Sequence, residues 1–186
     1  MFFIINEKAL KHLRASDPVM CQIIDSFPKP KRETFNTLHE AFIDTVIAQQ
    51  ISTPVYKTIS KRFFDTFSRD KARLKTYSIE AFQAVGLSLS KARTIHTFLN
   101  GRYQTLEDLA SIKGVGPWTV SMIRLFYSKE QDIFLLEDGG IQAALKKHFN
   151  LTNKHAQIAL AKKFTPYGSI ATFYLWESLV KEVTSK

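Results

Sequence analysis

One carboxylate and one glycine hairpin are the residues of this chain best placed to do chemistry. Asp138 precedes Gly139 and Gly140 in FLLEDGGIQ, and Ile141, Leu145 and Phe149 then recur at helical spacing, so Asp138 stands at a helix N-terminus. A plain N-cap is one role for it there and a reacting carboxylate is another; the positive end of a helix suits both. Glu137 is adjacent but points elsewhere. Asp138 follows Thr119 by 19 residues, and Thr119 ends the segment LASIKGVGPWT. Leu106 just before that segment, and Leu109 and Ile112 within it, keep helical spacing up to Lys113, and Gly114 and Gly116 are then able to turn the chain with positive φ. Pro117 suits the first position of a new helix, continued by Val120, Ile123, Leu125 and Phe126. Amides collected at a helix start, beside glycines and Lys113, form an anion site suited to phosphate. An ordinary helix-to-helix turn is the alternative.

The elements that must position these groups are helical throughout. Helical spacing runs over residues 7–15, 19–27, 34–50, 54–67, 79–85, 91–99, 143–149, 155–164 and 169–183, with few strand signals. The chain therefore reads as all-α, either one domain or two small helical lobes. With 186 residues, 45% of them hydrophobic, it is long enough to bury a substantial core. PKPKR at 28–32 reads as a solvated loop and a possible boundary after the first two helices. The net charge of +9 favours a polyanionic partner. No apolar run approaches the length of a membrane span, and MFFIINEKAL turns polar too early for a secretory signal, so a cytoplasmic protein is expected, nucleoid-associated if bacterial. A single cysteine, Cys21, rules out an internal disulfide and a four-cysteine metal or iron–sulfur site within the chain; it reads as a small buried residue. The five histidines show no metal-ligand spacing.

The hairpin followed by Asp138 resembles the helix-hairpin-helix DNA glycosylase superfamily. Five blocks in order sharpen the resemblance to its 3-methyladenine DNA glycosylase II branch: DTVIAQQIS (44–52), LSLSKARTI (87–95), IKGVGPWTV (112–120), DIFLLEDGGIQ (132–142) and FTPYGSIATFYLW (164–176). They span about residues 35 to 177. The resemblance implies one glycosylase domain over 1–186, with two helical lobes, a DNA-binding cleft and a hairpin motif at about 105–128. It also implies a compact form without the N-terminal αβ domain of larger bacterial members.

The implied reaction is hydrolysis of the N-glycosidic bond of an alkylated purine such as 3-methyladenine in double-stranded DNA, leaving an abasic site. Asp138 would be the catalytic carboxylate, stabilising positive charge on the sugar and orienting water. Lyase-competent relatives place a Schiff-base lysine two residues after the second hairpin glycine; here that position is Trp118, so a monofunctional enzyme is expected. Trp118, Met122, Phe164 and Tyr167 would line the base pocket, where an aromatic face attracts a cationic base by about 0.5 to 2 kcal/mol. Core packing is the other reading of these aromatics, and the preferred one for Phe173 and Trp176. Lys113, Gly114, Val115, Gly116 and Thr119 would hold phosphate, and the carbonyls of Ile112 and Val115 a Na+ or K+ ion, with no catalytic metal and no iron–sulfur cluster. Gln49, Gln50, Ile51 and Ser52 form the turn that enters the minor groove, with Gln50 as wedge and Ile51 second. A glutamine-rich helix end bonding to its own turn is the alternative there. Lys91 and Arg93 either reach phosphate or lie on a solvated helix face. The chain is expected to act as a monomer.

Two other functions fit part of this pattern. A glycosylase for another damaged or mismatched base shares all of it. A noncatalytic helix-hairpin-helix DNA-binding protein needs the hairpin and the positive charge but uses Asp138 only as a cap.

Overall fold

Capping residues and proline punctuate the chain so regularly that helices dominate it. The computed structural model describes residues 1–103 and 105–180. Among them, twelve helices follow in order: α1 (Glu7–Ser16), α2 (Pro18–Ser26), α3 (Leu38–Ala48), α4 (Thr53–Thr66), α5 (Lys71–Leu74), α6 (Ile79–Ala84), α7 (Leu89–Asn100), α8 (Leu106–Leu109), α9 (Pro117–Phe126), α10 (Gly139–Phe149), α11 (Lys154–Phe164) and α12 (Gly168–Val180). Most begin where a short polar side chain accepts a first-turn amide: Asn6, Asp17, Thr37, Asp70, Ser78, Ser88, Thr105, Asp138 and Asn153. The helices form two compact units. One is Phe35–Tyr127; the other joins Met1–Thr34 to Ser128–Lys186.

In the contiguous unit α3 is the central element, with every residue from Ala41 to Ile47 buried. Phe42 stacks on Phe98 of α7 at 3.9 Å, and Phe63, Phe82 and Ile123 complete the core around it. Each fully buried side chain of this size contributes about 1.5–3 kcal/mol. A helix so enclosed carries the turn at its C-terminus on a rigid base. In the other unit α12 is the enclosed helix, buried from Gly168 to Leu175. The N-terminal segment alternates beside it: Phe3 and Ile5 point inward, Phe3 edge-on to Phe173, while Phe2 and Ile4 are exposed.

Several expectations are corrected. The helix expected over 34–50 starts only at Leu38, because Thr37 caps it and Glu33 pairs with Phe2 as an isolated antiparallel bridge. The helix expected from 143 begins at Gly139, capped by Asp138, and α5 was not anticipated. Of the helix expected over 169–183, residues 181–183 lie outside the described residues. PKPKR is no plain solvated linker: the Arg32 guanidinium pairs with Glu177 at 2.9 Å and its carbonyl accepts from Phe3. Cys21 is partly exposed rather than buried, its thiol 3.6 Å from Asp25.

A buried acid in the contiguous unit makes stability depend on pH. Asp44, only 8% exposed, accepts from the Tyr56 and Ser60 hydroxyls at 2.6 Å each. Burial pushes its carboxyl above the usual range of 3.8, against the lowering effect of those two hydroxyls. The folded chain thus keeps this proton to higher pH than the unfolded chain. Its contribution to stability is full below the unfolded value and is lost as pH rises through the folded one. Asp44→Asn is therefore expected to gain stability relative to wild type between pH 4 and pH 7 in urea melts. A stability difference that stays constant over that interval would refute it.

Candidate functional site

The chemistry-bearing residues divide between the two units. Three of the five sequence blocks meet in the contiguous unit. Residues 112–119 form a tight turn into α9, which starts with Pro117 at its first position and has no side-chain cap. First-turn amides at an uncapped helix start are suited to an anion. The turn is fixed from behind. Gly114 adopts φ +94, and a Cβ there would meet the Thr94 hydroxyl at 2.6 Å. That hydroxyl donates to the Lys113 carbonyl at 2.9 Å. Gly116, by contrast, has an ordinary φ of −105 and nothing within 4 Å of a Cβ. Only one of the two glycines therefore uses positive φ, contrary to expectation; the second leaves open space at the mouth of α9. The Lys113 side chain is exposed at the same turn.

Gln49 joins this turn to the end of α3. Its Nε2 donates to the Gly114 carbonyl and to the Thr119 hydroxyl, both at 2.9 Å. The Lys91 ammonium of α7 donates to the carbonyls of Ile47 (2.8 Å) and Gln49 (2.7 Å), where α3 leaves its last carbonyls unmatched. Burial pushes this lysine below its ordinary value. The next residue, Gln50, has φ +53 and an exposed side chain, with Ile51 half-buried and Ser52 exposed after it. These contacts give four of the residues expected at DNA roles within the protein as well. Gln49 and Lys91 brace protein backbone, Thr119 is buried with its hydroxyl taken by Gln49, and Val115 turns its side chain into the core. Exposed Arg93 fits the solvated-face alternative. Trp118 and Met122 are half-buried one turn apart on α9, so they share a face.

The other two blocks meet in the second unit. The Ser169 hydroxyl donates to the Glu130 carbonyl and accepts from the Ile133 amide, and Thr172 donates to the Ile133 carbonyl. The Gly168 amide donates to Asp132 at 3.1 Å. Gln142 of α10 reaches back to the Leu136 carbonyl. This stitching delivers Asp138 to the N-cap of α10. Its Oδ1 accepts from the Ile141 amide at 3.0 Å and from the Trp176 indole N–H at 2.8 Å. A Cβ on Gly140 would lie 3.0 Å from that oxygen and 3.2 Å from the indole, so glycine there leaves room for the pair. Glu137 is exposed beside it.

Trp176 is the residue that sequence reasoning assigned to the core and that the structure brings to the carboxylate. One signal was available: an indole N–H in a buried helix needs an acceptor. The expected pocket residues Phe164 and Tyr167 belong elsewhere. Phe164 is fully buried near Phe134 and Phe149, and Tyr167 meets His12 edge-on at 5.4 Å. Both precede α12, whereas Trp176 lies nine residues beyond Tyr167, about 13 Å along the helix axis. Among the described residues, no group of three or more His, Cys, Asp or Glu side chains is placed to hold a metal, and no helix is long and apolar enough to cross a membrane.

No family model matches the chain. A Bacillus subtilis protein named "putative DNA-3-methyladenine glycosylase" is 29% identical over 77% of the chain; the match spans 59% of that relative's length. An alkylbase DNA glycosidase-like protein of Schizosaccharomyces pombe is 25% identical over 92% of both chains. Among solved structures, the 3-methyladenine DNA glycosylase of the same yeast, in complex with abasic DNA, superposes with a TM-score of 0.83 at 20% identity, covering 92% of this chain and 96% of its own. In sequence the chain is thus similar to proteins named for 3-methyladenine or alkylbase DNA glycosylases, and it shares the fold of the yeast 3-methyladenine DNA glycosylase.

Proposed function

We propose that this protein hydrolyses the N-glycosidic bond of alkylated purines such as 3-methyladenine in double-stranded DNA and leaves an abasic site. The observation that carries the reading is the Asp138 carboxylate, fixed at the N-terminus of α10 with the Trp176 indole on Oδ1. A carboxylate held there is preorganised to stabilise positive charge developing on the sugar and to orient water. The names of the relatives support alkylated bases as substrate. Trp118 and Met122, which share a face of α9, are the side chains proposed to meet the base.

The uncapped start of α9, the open space at Gly116 and the Lys113 charge are proposed to hold a DNA phosphate. The Ile112 carbonyl already accepts from the Val115 amide at 3.0 Å, which leaves it a second lone pair. With the Val115 carbonyl it is proposed to hold a Na+ or K+ ion weakly, which would supply a positive charge beside the phosphate. Trp118 stands where a lyase would need an amine, and an indole forms no imine, so the enzyme is proposed to be monofunctional. It is proposed to act as a monomer.

The test is base release from methylated duplex DNA at fixed salt, with the product strand examined before and after alkali. Released methylated purines and a strand that breaks only after alkali are expected. Breakage without alkali would assign a lyase. Duplex binding without release of any base would leave a DNA-binding module.

A further inference from the structure

The turn at the end of α3 and the hairpin before α9 are usually two separate tools in such a reading, one to enter the DNA stack and one to grip phosphate. Here they share side chains. Gln49 holds the Gly114 carbonyl and the Thr119 hydroxyl with one amide nitrogen, and its own carbonyl is held by Lys91. The neighbouring Gln50 carries its side chain from a left-handed backbone, φ +53, a conformation costly for a non-glycine residue and sustained by what surrounds it. The residue just before it, Gln49, is held on both sides, by its own side-chain donations and by the ammonium of Lys91. We infer that Gln49 is a positioning residue that fastens the wedge Gln50 to the phosphate hairpin, so that a phosphate seated on the hairpin sets the depth and direction at which Gln50 enters the vacated stack.

The inference rests on the proposed glycosylase reading and adds a role to a residue that touches neither base nor sugar. It makes two side chains inseparable in function: Gln49 matters only because Gln50 has to be aimed. A misplacement of about 1 Å at a reacting centre costs up to a hundredfold in rate.

The experiment is a double-mutant cycle read by single-turnover base release from methylated duplex, with affinity for undamaged duplex measured alongside. Gln49→Met keeps the side chain's length and removes both donations. It is expected to slow release about tenfold in the wild-type background and to cause no further loss in a Gln50→Ala background, while undamaged-duplex affinity is retained. Lys91→Met is expected to behave in the same way, with Lys91→Arg restoring the rate because it still donates to the two carbonyls. The Lys91 pair keeps the test decisive if Gln49→Met fails to fold. Equal slowing in both backgrounds, a loss of duplex affinity in step with the rate, or a Gln50→Ala variant as fast as wild type would each overturn the inference. A wild-type protein that binds methylated duplex but releases no base fails earlier, and marks the functional reading itself as wrong.

Discussion

Asp138→Asn is expected to give a folded protein that binds DNA as wild type does and releases base about 10²- to 10³-fold more slowly. The substitution is informative because it separates two roles that share one oxygen. Oδ1 of Asp138 caps α10 through the Ile141 amide and receives the Trp176 indole. Asparagine is as good an N-cap as aspartate and keeps an acceptor for both donors, so melting should change little. What disappears is the negative charge. Asp138→Ala loses the cap as well, at about 1 kcal/mol, and would confuse instability with lost chemistry. Single-turnover release and thermal melting of the two variants distinguish the outcomes. Undiminished release by Asp138→Asn would confine the residue to capping and move the chemistry elsewhere in the chain.

The two hairpin glycines are expected to respond in opposite ways to one added methyl group. Gly114→Ala should destabilise the contiguous unit by about 1–3 kcal/mol, since φ +94 is unfavourable for alanine and the methyl would meet the Thr94 hydroxyl at 2.6 Å. Thr94 holds the Lys113 carbonyl, so the strain passes directly to the turn. Gly116→Ala should melt like wild type, because its φ of −105 is open to alanine and nothing lies within 4 Å. Its penalty should appear only when a phosphate approaches: weaker duplex binding at constant stability. Urea melts and duplex titrations at one salt concentration test the pair. A Gly116→Ala variant that binds normally would argue that the hairpin makes no close backbone approach to DNA.

What could be read from sequence followed the range of the interaction. Asp138 was legible because an N-cap is local: an aspartate, two glycines and an apolar period lie within about a dozen residues. The start of α9 was legible from Pro117 for the same reason. The bracing roles of Gln49 and Lys91 were not legible because most of their partners are backbone carbonyls, which carry no residue identity, and all lie 42 to 70 residues away along the chain. Trp176 was misassigned because its partner is 38 residues distant. Phe164 and Tyr167 sat in a recognisable block, but position in a block does not say which end of a helix faces the chemistry. The short helix α5 escaped for another reason: a single turn has too few residues to show a period.

The order of the two units along the chain also sets an order of assembly. The unit built on α3 is one uninterrupted stretch, Phe35–Tyr127, whereas its companion needs Met1–Thr34 together with Ser128–Lys186. During synthesis the inner stretch is complete before the outer one has its second half. The first two helices emerge early and must keep Leu13, Met20 and Ile24 out of wrong partnerships until α12 arrives. Contacts this distant in sequence form slowly. The half that bears the carboxylate is thus the last to become native, and a nascent or truncated chain would complete the proposed phosphate hairpin before the proposed catalytic carboxylate has its setting.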